Sequence, residues 1–147
     1  MRNAVAILFL SGLLAAPDSA RADHIMVLVV RADSSLDNVS SIDLRKLYLG
    51  FTVNDAQGEP IRAATNSSNP NLWQAFLQNV MGMSDRSYHR RLLTLTLQSG
   101  RARPEVFDNL DGVLNSVEST GNTITFAWRE DVENRDEIKI LRVLWQH

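Results

Sequence analysis

The segment Ile25-Met26-Val27-Leu28-Val29-Val30 has no polar face. A strand that is wet on one side alternates apolar and polar residues. A strand without alternation must be covered on both sides, and in a parallel or mixed sheet helices supply that cover. The chain is therefore expected to build outward from one buried strand into an α/β fold with layers above and below it. A strand so placed has to be paired by a segment returning from much later in the sequence.

The residues that follow supply those layers. Ser40 or Ser41 can cap a short helix with Asp43 in its first turn, Leu44, Leu47 and Tyr48 on one face, and Gly50 at its end. Asn54-Asp55-Ala56-Gln57-Gly58 reads as a turn, and Pro60-Ile61-Arg62-Ala63-Ala64 as a short strand. Asn69 and Pro70 form a helix start, a capping side chain followed by a residue that lacks an N–H where none is needed. Trp73, Phe76, Leu77, Val80 and Met81 then make the apolar stripe of a helix closed by Gly82. Ser84 opens another, with Tyr88, Leu92 and Leu95 inward, before a break between Gly100 and Pro104. Phe107, Leu110, Leu114 and Val117 predict a further helix ending near Gly121, and two strands, over 123–128 and 138–145, close the chain.

Arg2, the apolar stretch from Ala4 to Leu10, Pro17 and the triplet Ala20-Arg21-Ala22 have the order of a secretory signal peptide. The apolar run is shorter than the roughly 20 residues that cross a bilayer. Residues 1–22 are thus expected to be cleaved after Ala22. That leaves a periplasmic or secreted chain from Asp23, one domain over 23–147 with no membrane span. Losing Arg2, Arg21 and Asp18 makes the formal charge of −2 one unit more negative, which argues against nucleic acid and anionic lipid as partners. The absence of cysteine excludes disulfides, thiol nucleophiles and thiolate metal sites. His24, His89 and His147 have no second ligand at metal spacing, so neither a metal nor another cofactor is expected. Signatures of serine hydrolases, zinc proteases and nucleotide-binding loops are missing, and the acidic residues Glu130, Asp131, Glu133, Asp136 and Glu137 form no marked pair. No enzymatic activity is expected.

Five strings carry a family likeness through their order. They are Ile42-Asp43-Leu44-Arg45-Lys46-Leu47-Tyr48-Leu49-Gly50, Gly58-Glu59-Pro60-Ile61, Phe76 with Val80-Met81-Gly82, Gly100-Arg101-Ala102-Arg103-Pro104, and Ser119-Thr120-Gly121-Asn122-Thr123-Ile124-Thr125-Phe126. Together they cover most of 23–147 and resemble the PstS-type phosphate-binding proteins of bacterial phosphate ABC transporters. The resemblance implies a single lobe of a type II periplasmic-binding-protein-like fold, a mixed sheet covered by helices that supplies half of a ligand cleft. It also implies a periplasmic solute-binding role connected with phosphate uptake, with phosphate or a related small anion as ligand. One lobe surrounds only part of a ligand, so a homodimer or another envelope protein would complete the cleft.

In that family the loop before the helix holding the counterpart of Phe76 carries an arginine and a Ser-Gly-Thr turn, which hold phosphate at a helix N-terminus. Here those positions fall near Asn66 and on Pro70, Asn71 and Leu72. Pro70 removes a donor N–H, Leu72 a hydroxyl, and Asn71 the close backbone approach that glycine allows. The remaining ligand-binding candidates are Asn66, Ser67, Ser68 and Asn69, whose side chains either meet an anion or cap the helix. Arg86, Arg90 and Arg91, followed by Arg101 and Arg103, form a second candidate, a positive patch for an anion or acidic partner or else a solvated helix face. The alternative to solute binding is a ligand-free interaction module of the envelope that keeps the fold without the anion site.

Overall fold

In the computed structural model, which describes residues 23–147, the apolar run becomes strand β1 (Ile25–Arg31), with Met26 through Val30 fully buried. The signal peptide expected over 1–22 lies outside the described residues. β1 lies between two antiparallel neighbours. One is β4 (Thr123–Trp128), with Met26 opposite Trp128 and Leu28 opposite Phe126. The other is β5 (Ile138–Gln146), with Ile25 opposite Gln146. β2 (Arg62–Asn66) runs parallel to β4, and β3 (Glu105–Phe107) runs parallel to β2. The result is a mixed sheet in the order β3-β2-β4-β1-β5, with the non-local pairing of β1 that its burial requires.

Met26, Leu28, Val30, Ile124, Phe126 and Trp128 face one side of the sheet. There α1 (Ser41–Tyr48), α2 (Pro70–Phe76) and α3 (Asp85–Ser99) pack through Leu44, Tyr48, Phe76 and Tyr88. Val27, Val29, Ala64 and Ala127 face the other side, beneath α4 (Leu110–Ser119) and α5 (Arg129–Val132). Cover on both faces leaves every residue of β4 buried, so the hydroxyl of Thr125 needs an internal partner and donates to the Ala64 carbonyl at 2.9 Å. Two tyrosines follow the same rule. Tyr48 donates to the Ala64 carbonyl at 2.9 Å, and Tyr88 donates to the Tyr48 carbonyl at 2.6 Å. Burial raises the Tyr48 phenol well above its ordinary range and pushes Tyr88 up to about 12.

The capping signals place the helices. Ser40 accepts the Asp43 N–H, Ser84 the Ser87 N–H, and Asn69 those of Asn71 and Leu72. Three segments differ from expectation. The strand expected over 60–64 starts at Arg62 and runs to Asn66, because Pro60 has no N–H for a ladder and makes only an isolated bridge to Asn54. The stripe from Trp73 to Met81 is not one helix: α2 passes into a π turn, Leu77–Met81, whose Val80 carbonyl accepts from Arg45 Nε at 2.8 Å. Phe107 is not helical. It ends β3, a strand too short to show a period, and α4 starts behind Asn109, which accepts the Gly112 N–H at 2.6 Å.

Candidate functional site

β2, β3 and β4 are parallel, so Asn66, Phe107 and Trp128 end their strands along one edge of the sheet. α2, α4 and α5 start from this edge, and it is where open α/β sheets take ligands. β1 runs the other way and β5 runs with them, so the start of β1 and the end of β5 bring His24 and His147 to the same place, where the His147 N–H donates to the His24 carbonyl at 3.3 Å. An aromatic row lies beside them: His24 is 5.0 Å from Trp128, Trp128 is 6.3 Å from Trp145, and Trp145 stacks on His147 at 5.8 Å. Glu130, the second residue of α5, holds the His24 ring at 3.2 Å.

The four loop candidates come together at this edge, and the donors of Asn66, Ser67 and Ser68 face inward. Asn66, fully buried, donates from its amide to the Phe126 carbonyl at 3.0 Å and accepts the Ser68 hydroxyl at 2.6 Å and the Ser68 N–H at 3.2 Å. It thereby ties the end of β2 to β4. Ser67 donates both its N–H and its hydroxyl to the Phe107 carbonyl at 2.9 Å, which ties the loop to β3. Asn69 accepts the N–H groups of Asn71 at 2.9 Å and Leu72 at 3.2 Å. An anion needs donors. Both serine hydroxyl protons and the first free amides of α2 are already engaged, and Pro70 has none to offer.

Arg86, Arg90 and Arg91 lie exposed on α3 and are not brought to the loop. Arg90 and Arg91 line a hollow of about 460 Å³ with Met83 and Leu95, in which none of the four loop residues takes part. Arg101 lies over the Phe51 ring, 3.8 Å from its centroid. Arg103 is the arginine that shares a cavity with the loop. It lines a hollow of about 310 Å³, together with Ser67, Trp73, Leu92 and Val106, between α3 and the β2–β3 end of the sheet. Sequence reasoning missed this grouping because β3, which carries Val106 beside Thr65, is too short to be seen. The available signal was Val106 itself, an apolar residue between Pro104 and Asp108.

A mixed five-stranded sheet with helices on both faces, entered and left by adjacent antiparallel strands, is the single lobe of a periplasmic-binding-protein-like fold. The fold implied by the ordered sequence strings is the one observed. The chain is similar in structure to an ABC-type phosphate transport receptor from Vibrio cholerae, with a TM-score of 0.58 at 15% identity over 82% of this chain and 46% of that one. It is similar to PstS from Borrelia burgdorferi, with a TM-score of 0.58 at 14% identity over 81% of this chain and 47% of that one. A chain from Clostridium perfringens solved with phosphate bound gives a TM-score of 0.60 at 13% identity over 82% of this chain and 45% of that one. At such identities the likeness is one of fold, and this chain spans less than half the length of each of the three. No protein-family model matches the chain, and no curated protein matches it.

Proposed function

We propose that this chain is a single-lobe solute-binding-type protein of the bacterial periplasm. In this reading the loop of Asn66, Ser67, Ser68 and Asn69 meets phosphate or a related small anion, in connection with phosphate uptake. The observation that supports it is the position of that loop, at the C-terminal edge of a lobe whose fold is shared with halves of phosphate transport receptors. The engaged donors set the strength. An anion has to displace Ser67 from Phe107 or Ser68 from Asn66. Half a cleft then buries only part of it, so binding by the lone lobe is weak and a second copy or another envelope protein closes the edge.

The test uses protein recovered from the periplasmic fraction, whose first residue is expected to be Asp23. Its melting temperature is followed through a phosphate titration, with sulfate and chloride at matched ionic strength. Phosphate at roughly 100 times its Kd adds about 2.7 kcal/mol of stability. A rise specific to phosphate, lost in the double variant Ser67→Ala with Ser68→Ala, supports the reading; a flat response sinks it.

The inward-facing donors favour a second reading, an interaction module that keeps the fold and docks an envelope partner without any anion. The aromatic row of Trp128 and Trp145 or the exposed Arg86, Arg90 and Arg91 would then carry the contact. A flat phosphate response moves the choice to this reading. Loss of a co-purifying envelope protein in Arg90→Glu would assign the contact to α3, and its retention would remove α3 from the reading.

A further inference from the structure

We propose that the hollow between α3 and the β2–β3 end of the sheet binds a small carboxylate with a planar apolar body, its charge on Arg103 and its body against Trp73. The proposal does not rest on phosphate binding by the loop. One wall is apolar and fixed, with Thr65, Ser67 and His89 at its margins. Trp73 meets Tyr88 edge-on at 5.4 Å, and its indole N–H donates to Asp85 at 2.8 Å, so the part of the ring that lines the hollow has no polar atom left to satisfy. Leu92 and Pro104 continue the wall, and Val106 completes it from β3 while remaining 64% exposed. β3 is the edge strand of the sheet, and that valine stays open to solvent.

Arg103 supplies the charge. Among the described residues the arginine ion pairs are those of Arg31 and Arg135, which leaves the Arg103 guanidinium free for a carboxylate, the group its planar fork matches best. A volume of about 310 Å³ stands at the small end of ligand pockets. A bare oxyanion such as phosphate gains nothing from an apolar wall, whereas a carboxylate on a flat hydrocarbon body uses both the wall and the cation.

The test is a benzoate titration of the purified protein followed by amide and indole N–H correlation spectra. Saturable shifts are expected at the Trp73 indole and at the Val106 amide. Arg103→Met, which keeps the stem and removes the charge, is expected to weaken binding about tenfold or more. Uncharged benzamide is expected to be weaker by a similar factor on the unaltered protein, a comparison that does not depend on any variant folding. Inorganic phosphate is expected to leave the Trp73 indole signal in place even where it shifts Ser67 and the β3 amides beside it, since the loop and the hollow share Ser67. Three results would overturn the proposal: no shift at Trp73 and Val106, equal affinity for benzoate and benzamide, or displacement of benzoate by phosphate at the same affinity.

Discussion

Gly50 is held where a side chain does not fit. Its φ is +83°, and an added Cβ would stand 2.8 Å from the carbonyl oxygen of Ala102, a backbone atom that cannot rotate away. Gly50→Ala is therefore expected to cost about 1–3 kcal/mol, read as a lower urea midpoint with an unchanged slope. An unchanged midpoint would mean that the backbone near Ala102 yields at no cost. The sequence showed half of this, since a glycine after Leu47-Tyr48-Leu49 marks a helix end, but it could not show that a residue so much later in the chain comes to rest on it. Asn66 teaches the same lesson. In the sequence it is one polar residue in a polar loop. In the fold it is a buried cross-tie to Phe126, a role that no local pattern announces.

Three of the helix starts are local chemistry that was legible, while that of α4 behind Asn109 was not. Ser40, Asn69 and Ser84 each accept the backbone N–H groups that the first turn leaves without partners. Asn69→Ala is expected to lower stability by about 1 kcal/mol. It should also speed hydrogen exchange at Asn71 and Leu72 more than at Phe76; uniform acceleration along α2 would show that the cap acts on the whole fold and not on the helix start. Elements defined by distant partners were not legible. The π turn over Leu77–Met81 places its Val80 carbonyl against an arginine of α1. β3 is a strand only because β2 lies next to it.

At the scale of the whole molecule, the central strand and the ordered strings foretold a two-faced mixed sheet. What they could not foretell was that the loop at its C-terminal edge is tied down by Phe107 and Phe126, both remote in sequence. The same burial makes a prediction about alkali. Tyr48 and Tyr88 are neutral donors in the fold, with ionisation raised by burial, to about 12 for Tyr88. In the unfolded chain both ionise near pH 10. Between about 10 and 12 the unfolded state releases protons that the folded state keeps, so stability is full below about pH 10 and falls as the pH rises. Chemical denaturation at a series of pH values checks this, with a shallower decline expected for Tyr88→Phe; constant stability up to pH 11.5 would contradict it.

The hydrogen bond between His147 and His24 holds the start of β1 and the end of β5 together. The polypeptide enters and leaves the lobe at nearly one point, beside the edge that carries Asn66 and Trp128. A lobe of this kind could be inserted between two neighbouring residues of a host chain while hardly parting them. Held by either end, it would present the same edge to whatever holds it, as a leaf turns one margin to its stalk.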